Sequence, residues 1–233
     1  MPRPLRYVAL IPAAGVGARM GEGDVPKQYL RLGSRTMLEH SIAAMLADAR
    51  IDRLFVVVAP SDSRWSEFTV GDDRVEFLPV GGASRSESVR NGLIAIAART
   101  DDDDRVLVHD AARPCLTEDQ LGRLIDEVGA DSTGGLLAVP LADTLKRGED
   151  GRVGITLDRE SMWCAQTPQL FRVGSLRAAL AGSLDGVTDE SSAMERAGHA
   201  PKLVLGGAGN LKVTTAEDLV LARAILAEQG RLA

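Results

Sequence analysis

Residues 7–20 have the sequence YVALIPAAGVGARM, in which an apolar segment is followed by a series of small residues. The apolar segment 7–11 predicts a buried strand. The small residues and two glycines after it predict a tight loop, because glycine and alanine let the main chain turn closely. A strand that ends in such a loop is typical of sheets that bind ligands at the carboxyl ends of their strands.

Apolar segments alternate with amphipathic segments along the rest of the chain. This alternation predicts an α/β fold with a mostly parallel, Rossmann-like sheet and helices on both of its faces. Continuous apolar strands fit a sheet that is buried on both sides. The predicted strands are 7–11, 53–59, 75–80, 105–110, 135–140 and 202–205, and the predicted helices are 36–49, 84–98, 117–129 and 215–228.

Three of the predicted helices begin with the spacing of a capping box, in which a Ser or Thr is followed three residues later by Glu or Gln. The pairs are Ser84 and Glu87, Thr117 and Gln120, and Thr214 and Glu217.

Segment 141–163 interrupts the alternation. A Gly-Asp turn within 146–152, flanked by short β-compatible pieces, predicts a hairpin that projects from the core. A projecting hairpin is either flexible or packed on something else, and in a small α/β domain a second subunit often covers it. We therefore expect one domain over 1–233, with 141–163 as a projecting arm used for dimerisation.

Composition excludes several classes of protein. The 233 residues carry a net charge of −6 and only eight aromatic side chains, which disfavours a polyanion binder and a base-stacking surface. The two cysteines, Cys115 and Cys164, form neither a metal-binding pair nor a disulfide framework. No apolar run approaches the roughly 18 residues of a membrane span, and the first residues do not resemble a signal peptide. We expect a cytoplasmic protein with no nucleic-acid or membrane partner.

The loop after the first strand is a candidate phosphate site. Gly15 and Gly17 let main-chain N–H groups curl round a phosphate, and Arg19 and Lys27 follow within reach. A simple strand–helix turn would need neither cation, whereas a triphosphate needs both. A dinucleotide fingerprint requires a small residue where Met20 stands, and a P-loop requires a Gly-Lys-Ser/Thr sequence that is missing here.

Two later strand ends carry further candidates. Gly82 and Ser88 lie where a flat ring can approach the main chain, although Ser88 alone is equally well explained as a solvent-facing helix residue. Asp110 ends a parallel strand, where a carboxylate suits a phosphate-bound Mg²⁺ or a substrate hydroxyl. Arg113 beside it is either a second anion contact or a surface charge. The three histidines do not cluster in the sequence, which disfavours a histidine metal site.

Polar residues in the last hundred positions are ambiguous when taken singly. In one interpretation, Thr188 or Asp189 caps a helix, Lys212 is an edge-strand charge, and Arg159 is a solvated charge in the arm. In the other, all of them serve one site. Composition does not decide among these interpretations.

Taken together and in order, seven motifs closely resemble the 2-C-methyl-D-erythritol 4-phosphate cytidylyltransferases, which are nucleotidyltransferases of the non-mevalonate isoprenoid pathway. The resemblance covers nearly the whole chain. The first motif and the lysine alone would indicate only the wider nucleotidyltransferase superfamily. The motifs are IPAAGxGxRM at 11–20, PKQY at 26–29, GGxxRxxSV at 81–89, VHDAARP at 108–114, QTPQ at 166–169, TDE at 188–190 and NxKVT at 210–214.

The resemblance implies a reaction and a set of roles. CTP and methylerythritol phosphate give the CDP-alcohol and pyrophosphate, with Mg²⁺ or another divalent cation bound mainly through the CTP phosphates. It also implies a homodimer that exchanges its arms, so that Arg159 serves the neighbouring site. The implied nucleotide contacts are Ala13, Ala14, Gly15, Gly17, Gly82, Ala83, Ser88, Asp110 and Ala111, with Arg19 and Lys27 stabilising the transition state. The implied substrate contacts are Asp110, Arg113, Thr144, Arg159, Thr167, Thr188 and Lys212, with Arg159 and Lys212 also catalytic and Asp110 beside the metal.

Two departures and three alternatives accompany these expectations. Many relatives carry an acid where this chain has Ala83, which puts a side-chain role there in doubt, and the length of loop 21–25 varies. The nearest alternative is a cytidylyltransferase for another polyol phosphate, such as ribitol 5-phosphate. An NAD-dependent oxidoreductase lacks its third glycine, and a nucleotide-sensing module would not need Lys27.

Overall fold

A seven-stranded sheet forms the centre of the computed structural model, which describes residues 5–15, 25–67 and 71–232. The strands are β1 (Tyr7–Pro12), β2 (Arg31–Leu32), β3 (Arg35–Thr36), β4 (Ile51–Val57), β5 (Val75–Leu78), β6 (Arg105–Val108), β7 (Gly135–Pro140), β8 (Leu145–Glu149), β9 (Arg152–Leu157), β10 (Trp163–Arg172) and β11 (Lys202–Leu205). The helices are α1 (Met37–Leu46), α2 (Arg85–Ala95), α3 (Glu118–Val128), α4 (Val173–Ala179), α5 (Glu190–Arg196) and α6 (Ala216–Glu228), with 3₁₀ turns at Lys27–Tyr29, Arg64–Glu67 and Ala97–Arg99.

The sheet has the order β11-β7-β10-β6-β1-β4-β5. β10 pairs antiparallel with both β6 and β7, and the other neighbouring strands pair in parallel. The predicted mostly parallel α/β sheet is therefore confirmed.

Both faces of the sheet are buried, because alternate residues of β1 enter different cores. Ala9 and Ile11 pack with residues of α1 and α3. Val8 and Leu10 pack with residues of α2, α4 and α5. A fully buried Leu or Ile side chain contributes about 1.5–3 kcal/mol, so these alternating residues hold β1 at the centre of the sheet.

The sequence analysis did not predict β10. Its middle contains Gln166, Thr167, Pro168 and Gln169, a polar run with a proline that is typical of a loop. The strand contains a register irregularity between Ala165 and Gln169, and the polar side chains are buried. Hydrogen bonds within the fold satisfy them, which local sequence pattern does not reveal.

The predicted start of the last helix was wrong by one residue. Thr215 caps α6, because its Oγ1 accepts a hydrogen bond from the N–H of Asp218. The Oδ2 of Asp218 accepts in turn from both the N–H and the hydroxyl of Thr214, at 2.8 Å each. These hydrogen bonds lower the pKa of Asp218 to about 2. The cap at Thr117 is confirmed, whereas Ser84 caps α2 without the reciprocal bond from Glu87.

The predicted hairpin is present in the arm. β8 and β9 pair antiparallel and form a separate two-stranded sheet. Asp150 and Gly151 connect them with φ values of 49° and 75°, as a two-residue hairpin turn requires. Apolar side chains of this arm are exposed, with Val153 65% and Ile155 47% accessible in the single chain.

None of the helices in the described residues is long and apolar enough to cross a membrane.

The corrected cap predicts a difference between two neighbouring acids. Asp218→Ala removes three hydrogen bonds at the start of α6 and should lower the free energy of unfolding by about 1 kcal/mol. Glu217→Ala removes an exposed acid from the same helical turn and should change it by less than about 0.5 kcal/mol. Denaturant unfolding of both variants measures the difference. Equal losses, or a larger loss for Glu217→Ala, would contradict the assigned cap.

Candidate nucleotide and phosphate site

A cleft of about 560 Å³ lies at the carboxyl ends of the central strands. The loop after β1, the start of α2, the residues after β6 and the segment before α6 all contribute to it. Its lining comprises Pro12, Ala13, Ala14, Gly15, Lys27, Gln28, Gly82, Ala83, Ser84, Arg85, Ser88, Asp110, Ala111, Ala112, Lys212 and Thr214.

Gln28 holds residues 13–15, directly after β1, in place. The side-chain amide of this buried residue donates to the carbonyl of Ala13 at 2.9 Å and to that of Gly15 at 3.0 Å. Both carbonyls therefore turn toward Gln28. The sequence analysis quoted Gln28 only as part of a motif, since one glutamine carries no local signal. Gly17 and Arg19 lie outside the described residues.

Lys27 reaches across the cleft. It precedes Gln28 on the same 3₁₀ turn, and its Nζ donates to the carbonyl of Val213 at 3.2 Å. Val213 follows Lys212, a second lysine of the lining. Two cations 185 positions apart in the sequence therefore line one cleft.

The loop before α2 comes very close to the first loop. A Cβ on Gly81 would lie 2.3 Å from the Cβ of Ala14, so only glycine permits this approach. Ser88 supports the loop from behind, because its Oγ accepts from the N–H of Gly82 at 3.1 Å and donates to the carbonyl of Ser84 at 2.9 Å. Ser88 is buried, so the interpretation as a solvent-facing residue is wrong.

Asp110 is the carboxylate that joins the parts of the cleft. Its Oδ1 accepts from Nε of Arg85 at 2.7 Å, and its Oδ2 accepts from Nζ of Lys212 at 2.8 Å. Its main-chain N–H donates to Oγ1 of Thr167 at 2.9 Å. Burial alone would raise the pKa of Asp110, but the charges of Arg85 and Lys212 hold it well below its usual range.

His109 is a structural brace for this region. It is fully buried, and burial lowers its pKa to about 4, so the ring is neutral near pH 7. Its Nε2 pairs with the carbonyl of Arg113 at 3.1 Å and its Nδ1 with Oγ1 of Thr167 at 3.1 Å. Among the described residues, no three His, Cys, Asp or Glu side chains lie close enough together to hold a metal ion.

Arg113 is buried beside Asp110 and does not belong to the lining of the cleft. Its guanidinium donates to the carbonyls of Asn210, at 2.6 Å, and Ala165, at 3.2 Å. Its Nε lies 3.9 Å from Oδ2 of Asp110. These contacts exclude the interpretation of Arg113 as a surface charge.

Of the remaining predicted substrate contacts, one is buried and three are exposed. Thr167 is buried behind Asp110, as its hydrogen bond shows. Thr144, Arg159 and Thr188 are exposed and lie outside the lining of the cleft. The Arg159 guanidinium donates to the carbonyl of Ala142, within the arm.

Arg85 and Glu190 are the polar residues to which the sequence analysis gave no role. Arg85 contacts Asp110, and it also contacts both oxygens of Glu190. Arginine in the first turn of a helix is usually solvent-facing, and its partner is 105 positions away. Only the fold brings them together.

Comparison with known proteins identifies relatives over the whole length. The family model of 2-C-methyl-D-erythritol 4-phosphate cytidylyltransferase matches residues 7–228. A protein of that name from Laribacter hongkongensis is 56% identical over 224 residues, covering 95% of this chain and 96% of its own. Another from Thiobacillus denitrificans is 48% identical over 233 residues, covering 97% of this chain and all of its own.

Solved structures agree in fold. A crystal structure of 4-diphosphocytidyl-2C-methyl-D-erythritol synthase superimposes with a TM-score of 0.87 at 41% identity, covering 96% of this chain and all of that one. The 2-C-methyl-D-erythritol 4-phosphate cytidylyltransferase of Thermus thermophilus gives a TM-score of 0.78 at 30% identity, with 96% and 100% covered.

Proposed function

The chain belongs to the 2-C-methyl-D-erythritol 4-phosphate cytidylyltransferase family, and we propose that it carries out the reaction for which the family is named. It transfers CMP from CTP to 2-C-methyl-D-erythritol 4-phosphate, giving 4-diphosphocytidyl-2-C-methyl-D-erythritol and pyrophosphate in the non-mevalonate isoprenoid pathway. The family match over residues 7–228 supports the reaction. The observation that carries the mechanism is the pair Lys27 and Lys212 in one cleft.

The chemistry is a direct displacement. An oxygen of the substrate phosphate forms a bond to the α-phosphorus of CTP, while the bond from that phosphorus to the pyrophosphate oxygen breaks. The lining among the described residues contains no cysteine or histidine to serve as a covalent nucleophile. Catalysis then rests on positioning two anions and compensating their charge.

The nucleotide half of the cleft takes CTP. The loop held by Gln28 offers its N–H groups to the phosphates, and Lys27 and Arg19 stabilise the charge that develops in the transition state. The loop before α2, supported by Ser88, lies against the cytosine ring. The residues assigned to CTP are Ala13, Ala14, Gly15, Gly17, Gly82, Ala83, Ser88, Asp110 and Ala111.

The other half takes the sugar alcohol phosphate. Lys212 contacts the substrate phosphate and orients it for attack, with Asp110 beside the sugar hydroxyls. Thr167 and Arg113, both buried, support Asp110 and the segment before α6. Thr144 and Thr188 complete the phosphate contacts from outside this cleft, and Arg159 supplies one to the site of the neighbouring subunit.

The described lining of the cleft offers magnesium one carboxylate ligand. Asp110 is the one carboxylate among the described residues that line the cleft, and Mg²⁺ is usually held by one or two carboxylates together with substrate phosphates. Arg85 and Lys212 each engage one oxygen of Asp110, and an ionised carboxylate has about four acceptor positions. Asp110 would therefore hold the ion together with the CTP phosphates. When bound, magnesium compensates phosphate charge.

The first test is substrate selection. Pyrophosphate release should require CTP, methylerythritol phosphate and Mg²⁺ together, and omission of any one should abolish it. A coupled pyrophosphate assay measures this, with ribitol 5-phosphate as the matched alternative acceptor. Comparable turnover with ribitol 5-phosphate would contradict the proposed substrate, and release without any acceptor would contradict a transferase.

We propose further that the enzyme is a homodimer that exchanges its arms. The chain is then one catalytic domain with 141–163 as the arm. β8 and β9 form their own small sheet and expose Val153 and Ile155, a surface that a second subunit would cover. An exposed arginine on an unpacked hairpin would not position a nucleophile, whereas docking on a partner would fix Arg159. Two-fold symmetry makes the exchange mutual.

Subunit mixing tests the exchange. Lys27→Ala and Arg159→Ala are each expected to be nearly inactive. If Arg159 acts on the partner, each mixed dimer has one intact site, and random pairing should restore roughly a quarter of wild-type activity. The matched control mixes Lys27→Ala with Lys212→Ala, whose lesions lie in the same cleft, and should restore nothing. A monomer in solution, or no recovery in the first mixture, would contradict arm exchange.

A further inference from the structure

Glu190 is a buried carboxylate near the cleft that has no role in the reaction as described so far. It is the first residue of α5, and only 2% of its side chain is exposed. Burying an ionised carboxylate is costly unless it is paired and hydrogen-bonded. The role of Glu190 therefore depends on the residue with which it pairs.

Arg85 provides that pairing in a two-pronged geometry. Its Nη1 donates to Oε1 of Glu190 at 2.7 Å, and its Nη2 donates to Oε2 at 3.0 Å. Two parallel hydrogen bonds of this kind fix both the position and the plane of a guanidinium. The third nitrogen of the guanidinium, Nε, then donates to Oδ1 of Asp110 at 2.7 Å.

The orientation of Asp110 also determines which of its oxygens Lys212 contacts. With Oδ1 taken by Arg85, Asp110 presents Oδ2 to Lys212. The charges alternate in sign from Glu190 through Arg85 and Asp110 to Lys212, and the buried Arg113 adds a further positive charge 3.9 Å from Oδ2 of Asp110. Without the charge of Glu190, three cations would share one carboxylate, and the guanidinium of Arg85 would lose the contact that orients it.

The same segment is tied to α2 at a second point. The hydroxyl of Ser86 donates to the carbonyl of Val187 at 3.1 Å, one residue before Thr188. Glu190 and Ser86 therefore connect the start of the nucleotide-side helix α2 with the segment that carries Thr188.

We propose that Glu190 is a positioning residue for this reaction, acting through Arg85 to hold Asp110 and, through Asp110, the Nζ of Lys212 against the acceptor phosphate. The inference rests on the proposed function, since it assigns Lys212 to that phosphate. It weights the two substrates differently: the chain of contacts ends at Lys212 and the acceptor phosphate, whereas CTP is also held by Lys27 and the loop beside Gln28.

The test is Glu190→Gln, which keeps the shape of the side chain and removes its charge. We expect kcat to fall about 10- to 100-fold, because a small misplacement of a positioning group has effects of this size. Calorimetry should show a larger loss of affinity for methylerythritol phosphate than for CTP, because Lys27 and the loop beside Gln28 also hold the nucleotide. Unchanged kcat and unchanged acceptor affinity would overturn the proposal.

Asp48→Asn is the matched control for a merely structural role. Asp48 is also a buried carboxylate held by an arginine, because Arg50 donates from Nε to Oδ1 at 2.9 Å and from Nη2 to Oδ2 at 2.6 Å. Asp48 does not line the cleft. The Asp48→Asn variant should be less stable and keep its kcat per folded molecule. If Glu190→Gln behaves in the same way, Glu190 is structural only.

If Glu190→Gln does not fold, Glu190→Asp replaces it in the test. This variant keeps the charge but is too short to reach both nitrogens of Arg85, so it should also show a lower kcat and weaker acceptor binding.

A double-mutant cycle tests the route through Arg85. If Glu190 acts through Arg85, Glu190→Gln should slow the Arg85→Ala variant no further. Effects that multiply would overturn the route. Wild-type turnover reports separately on the proposed function: an enzyme inactive with methylerythritol phosphate would refute that reaction, while acceptor binding by the variants would still decide the role of Glu190.

Discussion

The active cleft depends on a carboxylate held ionised inside the protein. Asp110 is buried two residues after β6, where desolvation opposes its charge, and Arg85 and Lys212 compensate it at 2.7 and 2.8 Å. Neither cation is close to Asp110 in the sequence, since Arg85 lies at the start of α2 and Lys212 in the segment before α6. The ion pairs therefore draw three separate parts of the chain to one edge of the sheet.

The sheet makes this meeting possible. β1 and β6 are parallel neighbours, so the loops that follow them emerge side by side, and the antiparallel β10 lies next to β6 on its other edge. Thr167 of β10 then accepts from the N–H of Asp110. Cations gathered around one anion in this way are available to two more anions, the nucleotide and the acceptor phosphate, which would otherwise repel each other.

Sequence pattern predicted the sheet and most of its helices, because apolar strands buried on both faces leave a strong local signal. It missed β10, whose centre is polar and is satisfied only by tertiary hydrogen bonds. It placed the cap of α6 at Thr214, because two adjacent threonines are each followed by an acid at the same spacing; only the geometry shows that Asp218 serves both. Among the residues taken from motifs, Lys27, Asp110 and Lys212 line the cleft, whereas five predicted substrate contacts lie outside its lining: Arg113, Thr144, Arg159, Thr167 and Thr188. The pairing of Arg85 with Glu190 spans 105 positions and has no local signal.

We propose that cations in this cleft stabilise charge that develops during the displacement, and Lys27→Ala tests this role. Lys202 on β11 pairs with Glu127, so Lys202→Ala is the control. We expect kcat to fall by about 10²- to 10³-fold for Lys27→Ala, by analogy with the loss of one oxyanion-stabilising donor. The dissociation constant of CTP, measured by calorimetry, should change only a few-fold, and Lys202→Ala should match wild type. An unchanged kcat with a raised KM for CTP would show that Lys27 merely binds the ground state, and would exclude its role in the transition state.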